Sequence, residues 1–324
     1  MEKEKKLLVY VHGDILGDAL LKLPAISVLK QGFPDHKIIW FSGCSKSIFQ
    51  TALSPLINNY VDQIIDDKQL GKSWKEWLSP CPIKEHIDII IDTQHIIRTT
   101  LLLKRVPHSL FVSPAASFYF SDKKPSNEID YSGTMKERLL ALFNIASSSK
   151  LSSNFKLSLP LEYDREAEKR LPSDSNYIGL APGAGGKNKC WPIDRYASVA
   201  KKQIELDRKP VFFLGPEELD DYSYLKKEVP DALFPEQECD HGNGLKGPLL
   251  AIALAKRLSV GVANDSGIGH IMAIADIPLV SLFGPSNRSK FSSKTKDYKV
   301  IEAGAYGSNE MVSIPIEPVL KAVD

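Results

Sequence analysis

The chain has 324 residues, 43% of them hydrophobic and 25% charged, with 41 basic and 40 acidic residues for a formal net charge of +1. That length and apolar share predict about two globular domains, each with its own core, and the near-neutral balance gives no case for a nucleic-acid partner. No run of about 18 apolar residues exists, so no membrane-spanning helix is expected, and the apolar run after MEKEKK is too short for a signal-peptide core. Cys44, Cys81, Cys190 and Cys239 form no CxxC pair. Their spacing predicts reduced thiols in a cytoplasmic compartment, with neither a zinc site nor a disulfide framework.

In chain order, LLVYV (7–11) reads as a compact buried strand and residues 19–31 as a helix kinked at Pro24. Strands are expected at 38–43, 61–67 and 87–92, then a helix at 95–104. This is the alternation of a parallel sheet with helices on its faces. Residues 120–165, rich in Ser, Lys and Asn, break the pattern and read as the tail of a first domain plus a linker, with one helix over 135–146. A second alternation follows. Strand 177–183 runs into a Gly-rich loop, and helix 194–206 has Asp194 as its expected N-cap. Then come strand 210–215, helices 217–228 and 247–257, strands 259–263 and 278–283, and a last strand at 299–303. The tail SIPIEPVLKAVD is expected to form a helix packing back on the first domain. The expected fold is α/β: two similar doubly wound domains, 1–160 and 161–324, facing a central cleft with ligands at the carboxyl ends of the strands.

Three loops carry the chemistry. The most informative is NDSGIGH (264–270), a Gly-bearing turn that opens a helix after a buried strand. A helix N-terminus offers unpaired N–H groups and partial positive charge to phosphate, and glycine admits close approach. Ser266 and Gly267 would meet the phosphate, Asp265 a neighbouring polar group, and His270 lies one helical turn after Ser266 on the same face. For His270 a structural role and a binding role stand equal. The segment suits a phosphate-linked ligand bearing hydroxyls, such as a nucleotide sugar. The second loop, APGAGGKNKCWPIDRY (181–196), supplies Gly183, Gly185 and Gly186 as flexible backbone and Lys187 and Lys189 as point charges for a diphosphate. Lys187 reads as a surface residue, whereas Lys189 stands beside the Trp191-Pro192 anchor. The third, HGDILGDALLKLP (12–24), puts Asp18 at the start of a helix, where it is either a cap or a general base, with Asp14 a second candidate on composition alone. Its glycines do not fit GxGxxG, and the chain has no GxxxxGK[ST] loop. Glu217 and Glu218, after strand 210–215, are equally ribose ligands or helix N-terminal acids. After strand 87–92, Asp92, Thr93, Gln94, His95 and Arg98 are expected at the cleft, Arg98 toward an anionic acceptor, while Lys104 and Arg105 read as a solvated helix face.

Four motifs occur in order: Gly17-Asp18-x-Leu20-x-x-x-Pro24, Asp92-x-Gln94, the Pro182-Gly183 loop ending in Lys189-x-Trp191-Pro192, and NDSG-x-x-H-x-x-A-x-x-x-x-P-L-V-x-L-F-G-P from Asn264. Together the chain resembles the ADP-heptose:lipopolysaccharide heptosyltransferases, glycosyltransferase family 9, from Gly17 to about residue 303. The resemblance implies a GT-B fold of two Rossmann-like domains, acceptor on the N-terminal one and donor on the C-terminal one. It implies inverting transfer of a heptose from ADP-heptose to the lipopolysaccharide inner core. Asp18 matches the proposed base, Lys189 the diphosphate lysine, Asp265 the sugar-hydroxyl ligand, Ser266 and Gly267 the phosphate turn, and His270 its histidine. Gly183, Gly185 and Glu218 complete the donor side. Gly17, Gln94 and Arg98 are assigned to the acceptor. No metal or other cofactor is required, the ADP-sugar being a substrate. The partners implied are that donor and a lipid-linked saccharide acceptor. The chain would act in the cytoplasm at the inner membrane face, with Lys46, Arg98, Lys104 and Arg105 helping to hold it there.

Some positions depart from the family pattern. Gly185 and Gly186 stand where many members carry hydroxyl or acidic residues, residues 105–120 lack an arginine-rich pattern, and residues 286–298 are unusually basic and Ser-rich. They keep open a relative that uses another nucleotide sugar for a different surface polysaccharide. Further alternatives are a non-catalytic sugar-nucleotide-binding relative and a nucleotide-sugar epimerase. The joint presence of Asp18, Lys189 and Asp265 argues against the non-catalytic relative, and an epimerase needs further cleft carboxylates that the sequence does not place.

Overall fold

The computed structural model describes residues 4–126, 129–238, 244–284 and 297–324. Cys239, Pro285 and most of the basic stretch 286–298 lie outside the described residues. Contacts divide the chain into two compact units, 1–158 and 159–324.

The first unit is a parallel sheet of β1 (Lys5–Val11), β2 (His36–Ser42), β3 (Gln63–Ile65), β4 (Ile87–Asp92) and β5 (His108–Val112), in the order β3-β2-β1-β4-β5. Its helical segments are α1 (Leu16–Ile26), α2 (Leu29–Gly32), α3 (Ser54–Ile57), α4 (Ile97–Leu103), α5 (Ala115–Phe118) and α6 (Met135–Ala146). The second unit repeats the scheme with β6 (Tyr177–Ala181), β7 (Lys209–Phe212), β8 (Val260–Asn264), β9 (Leu279–Phe283) and β10 (Tyr298–Glu302), in the order β10-β9-β8-β6-β7. Its helices are α7 (Leu161–Arg170), α8 (Ile193–Glu205), α9 (Leu219–Glu228), α10 (Pro248–Ala255), α11 (Gly267–Ile274) and α12 (Ile316–Val323). β6, β8 and β9 are buried at every position, as parallel strands covered on both faces must be.

Strand order reverses between β1 and β4 in the first unit and between β6 and β8 in the second. At such a point consecutive crossovers leave in opposite directions and open a crevice at the carboxyl ends of the strands, where doubly wound folds bind ligands. All three loops singled out from the sequence, and the segment after β4, begin at these points. In the second unit Gly179 and Gly261 are directly paired across β6 and β8. A Cβ on either would come within 3.0 Å of the Met272 side chain. The two glycines thus form a shallow floor that lets α11 lie close on the sheet.

The structure corrects several expectations. Helix 19–31 ends at Ile26, beyond Pro24, and restarts as α2; the Ser27 hydroxyl donates to the Pro24 carbonyl (2.9 Å) at the break. β5 was not foreseen because this edge strand is buried only at its last two residues. α7 was read as linker because only Glu166 and Ala167 of its residues are buried. It is held instead by charge, through Glu166–Arg170 (2.8 Å) along the helix and Asp164–Lys256 (2.7 Å) to the end of α10. Asp194 is a first-turn acid of α8, whose N-cap is Pro192. The tail forms a helix as expected, α12, whose Val319 and Val323 belong to the second unit's core, with Leu320 packed against it.

Asp92, expected at the cleft, is fully buried. It accepts hydrogen bonds from Thr100 Oγ1 (2.7 Å), Ser113 Oγ (2.9 Å) and the Gln94 N–H (2.9 Å), fixing the turn after β4. Burial pushes its carboxyl from 3.8 up to about 6, against the pull of these donors. A carboxyl raised on folding contributes stability that is complete below the unfolded value and lost as pH rises through the folded one. Asp92→Asn is therefore expected to flatten a decline in unfolding free energy between about pH 4 and pH 6, a few kcal/mol at most, measured by urea denaturation across that range.

Candidate functional site

In the second unit the site grows from the end of β8. Asn264 is buried, and its side chain makes three hydrogen bonds: Nδ2 donates to the Pro182 carbonyl (2.5 Å), and Oδ1 accepts from the Trp191 N–H (3.2 Å) and the Tyr196 hydroxyl (3.1 Å). One amide thereby staples both ends of the Gly-rich loop to the neighbouring strand. The loop's downstream end is pinned again by Trp191, whose Nε1 donates to the Ile314 carbonyl (2.9 Å) and whose ring meets Tyr196 edge-on. Lys189, in the last turn before this anchor, places Nζ 3.5 Å from Asp265 Oδ2. With Lys189 36% exposed, the ion pair is weak and can be exchanged for a ligand charge.

Next to Asp265, Ser266 caps α11, its Oγ accepting from the Gly269 N–H (3.2 Å). Gly267 opens the helix, where the first-turn N–H groups lack helical partners. Gly269 is required by close approach, since a Cβ there would stand 2.9 Å from the Asn264 carbonyl oxygen. His270 shares a small pocket with Asn264, Asp265 and Ser266. Glu218 reaches the same loop. It accepts from the Gly215 N–H (3.0 Å), and a Cβ on Gly183 would fall 2.4 Å from its carboxyl carbon. Burial, then Glu217 and Asp221, raise its carboxyl above the usual range. Gly185 is exposed with open space around it, and Lys187 is exposed as expected.

In the first unit a cavity of about 250 Å³ opens where β1 and β4 diverge, lined by residues that include His12, Asp18, Lys22, Gln94, His95 and Arg138. Asp18 stands in the first turn of α1 but caps nothing: the N-cap is Ile15. Among the described residues its carboxylate has no hydrogen-bond or ion-pair partner. Asp14, the rival candidate, is spent on structure. It is buried and accepts from Lys22 Nζ (2.6 Å), Trp40 Nε1 (2.8 Å) and Ser47 Oγ (2.7 Å). Gln94 lines the cavity, its amide donating to Thr93 Oγ1 (2.8 Å). Gly17 is buried inside α1 and Arg98 points elsewhere, donating to the Gly71 carbonyl (3.1 Å); neither lines the cavity. Besides Lys22, which is paired with Asp14, a second cation lines the cavity and was not singled out from the sequence. Arg138 sits on α6, in the segment read as linker, and among the described residues its guanidinium has no hydrogen-bond or ion-pair partner. Nearby, the Tyr131 hydroxyl and His95 Nε2 are 3.1 Å apart. Burial and then Arg138 lower His95, while burial pushes Tyr131 up to about 12.

A family model described as glycosyltransferase family 9 (heptosyltransferase) matches residues 83–315. The chain belongs to glycosyltransferase family 9. This family 9 chain is 36% identical over 123 residues to lipopolysaccharide heptosyltransferase 2 of Salmonella typhimurium, which is 36% of the chain and 33% of that protein. It is 25% identical over 279 residues to lipooligosaccharide heptosyltransferase 2 of Campylobacter jejuni, 86% of the chain and 81% of that protein. Among solved structures, a glycosyl transferase of family 9 from Veillonella parvula superposes with a TM-score of 0.73 at 21% identity, covering 100% of this chain and 97% of that one. The E. coli heptosyltransferase WaaC with ADP gives 0.66 at 18% identity, covering 98% and 96%. These likenesses show the fold: two parallel-sheet α/β domains of GT-B-like type.

Two substitutions separate scaffold from chemistry in this family 9 chain. Asn264→Ala leaves the Trp191 N–H and the Tyr196 hydroxyl without their buried acceptor and is expected to cost about 2–4 kcal/mol. Asp14→Ala leaves Lys22 buried without its counter-charge and is expected to cost about 3–5 kcal/mol. Guanidinium denaturation of both variants checks the two values.

Proposed function

We propose that the chain is an inverting heptosyltransferase that moves a heptose from ADP-heptose to the inner core of a lipopolysaccharide or lipooligosaccharide. The observation that carries this reading is the meeting of Lys189, Asp265 and the Ser266-capped start of α11 at one strand-order reversal. It combines a cation and helix N–H groups for a diphosphate with a carboxylate for sugar hydroxyls. The family, the heptosyltransferase names of the relatives and the ADP in the WaaC structure supply the sugar and the nucleotide.

In this reading the C-terminal domain, 161–324, binds the donor. Lys189 and the start of α11, with Ser266 and Gly267, receive the diphosphate beside the Gly183–Gly185 backbone. Asp265 orients the heptose, His270 supports the phosphate turn, and Glu218 accepts from a ribose hydroxyl. The N-terminal domain, 1–160, binds the acceptor in the Asp18 cavity. Asp18 takes the proton of the acceptor hydroxyl as its oxygen attacks the anomeric carbon. The bond from that carbon to the diphosphate oxygen breaks on the opposite face, and the electron pair leaves with ADP. A carboxylate without internal partners suits the base, since none of its lone pairs is already committed. Charge developing on the leaving diphosphate is stabilised by Lys189 and the helix N-terminus, so no metal or other cofactor enters the scheme. Arg138, in place of Arg98, pairs with an anionic group of the acceptor near the attacked hydroxyl.

The acceptor's lipid places the enzyme in the cytoplasm, peripheral to the inner membrane. No helix among the described residues is long and apolar enough to cross a membrane.

Asp18→Ala is expected to lower the rate of heptose transfer by about 10²–10⁴-fold while ADP affinity changes little, read by ADP release and by calorimetry. Full activity in that variant removes Asp18 from the chemistry. Lys189→Ala is expected to weaken donor binding and lower kcat together, and unchanged kinetics would place Lys189 in solvent. Arg138→Ala is expected to raise the acceptor KM and leave the donor KM alone.

A further inference from the structure

Between β3 and β4 the segment Ser73-Trp-Lys-Glu-Trp-Leu-Ser79 forms a short turn of 3-10 helix over Trp74–Leu78. Its backbone is held by a set of polar contacts. Glu76 accepts from the N–H groups of Gly71 (2.6 Å), Lys72 (2.9 Å) and Ser73 (2.8 Å), and Ser73 Oγ accepts from the Lys75 N–H (3.2 Å). Arg105 clamps the other end, donating to the Glu76 and Ser79 carbonyls (2.7 and 2.6 Å) with its guanidinium 5.2 Å from the Trp77 ring centroid. A turn so firmly fixed nevertheless leaves Trp74 53%, Trp77 44% and Leu78 91% exposed. Much of their apolar surface is left outside the fold, and such a cluster on a fixed turn marks an interaction site.

The charges around the cluster select its occupant. Lys72 and Lys75 flank it, are exposed, and have no ion-pair partner among the described residues. The one acid within the turn, Glu76, is turned inward onto backbone N–H groups. Tryptophan, leucine and unpaired lysine on one surface match the interfacial layer of an anionic bilayer. Indole rings sit there at headgroup level, Leu inserts, and Lys meets lipid phosphate. The turn packs on α4, whose first residue Ile97 and preceding Ile96 are themselves exposed. Just before them, Gln94 and His95 line the Asp18 cavity. The exposed Ile96 and Ile97 thus lie in sequence between α4, on which the turn packs, and the cavity-lining Gln94 and His95.

We propose that the Trp74–Leu78 turn, with Lys72 and Lys75, is the surface by which this protein docks on an anionic lipid bilayer. It rests on the proposed function only in explaining why an enzyme with a lipid-borne acceptor needs such a surface. Of the cations named from sequence for this task, Arg105 holds this turn, Lys46 pairs with Asp66, and Arg98 and Lys104 donate to backbone carbonyls.

The test uses the full chain and vesicles of phosphatidylethanolamine with or without phosphatidylglycerol. Of the four tryptophans, Trp40 and Trp191 are fully buried, so a change in fluorescence on vesicle binding reports Trp74 and Trp77. Vesicles containing phosphatidylglycerol are expected to shift the emission to the blue and protect it from acrylamide, an effect that added salt weakens. In co-sedimentation, the triple variant Trp74→Ser, Trp77→Ser, Leu78→Ser is expected to bind at least about tenfold more weakly. The pair Lys72→Glu, Lys75→Glu should lose about 30-fold or more at low salt. Both variants should keep wild-type transfer to a soluble, delipidated acceptor, which separates failure of docking from failure of the enzymatic reading. Unaltered emission with anionic vesicles, or equal binding by wild type and both variants, overturns the proposal. So does a concentration-dependent dimer that the triple variant abolishes, which would assign the surface to a second copy of the chain.

Discussion

The side chain of Asn264 is the constraint on which the candidate site of the second unit depends. A carboxamide at the end of β8 both donates and accepts, and each function is used: one N–H holds the start of the Gly-rich loop, and the oxygen holds its end. An aspartate of the same shape could not donate to the Pro182 carbonyl. Because the loop is tied to β8, Lys189 comes within 3.5 Å of Asp265, a residue 76 positions away. The paired glycines of β6 and β8 complete the arrangement by letting α11 settle on the sheet with its start beside that pair.

The first unit solves a similar problem with Asp14. Its buried carboxylate gathers Lys22 from α1, Trp40 from β2 and Ser47 from the following loop, and so fixes the start of α1. Four residues on, Asp18 is left without a partner. In each unit one buried polar side chain consumes its hydrogen-bonding capacity on scaffold, and a neighbouring carboxylate faces the crevice. The division suits catalysis, where the reacting group must be placed by others and remain uncommitted itself.

Much of this was legible in the sequence, for a physical reason. β6, β8 and β9 are buried throughout and β1 from Leu7 onward, and they appear as predominantly apolar runs. The loops after them announce themselves through Gly and Asp at strand ends, and the structure brings Lys189, Asp265 and the Ser266 cap together and places Asp18 on a cavity. Properties set by tertiary contact were not legible. Asp14 and Asp18 are both loop aspartates, and only the position of Trp40 and Ser47 shows which one is committed. Arg98 follows β4, yet its guanidinium donates to the Gly71 carbonyl and does not line the cavity. Arg138 reaches the cavity only because α6 packs against α1. α7 carries too few apolar residues to show a helical stripe, and β5 is an edge strand whose outer half is solvated.

The two crevices offer chemically different groups, a cation and helix N–H groups in one and an uncommitted carboxylate in the other, and the proposed function assigns the first to a diphosphate and the second to a hydroxyl. A donor site built this way should recognise a particular nucleotide even without acceptor. Calorimetric titration of the purified chain with ADP, GDP and UDP tests this most directly. Selective binding of ADP, abolished neither by removing divalent ions nor by the absence of acceptor, is the expected result. Preference for GDP or UDP, or binding of none of the three, would contradict an ADP-heptose donor.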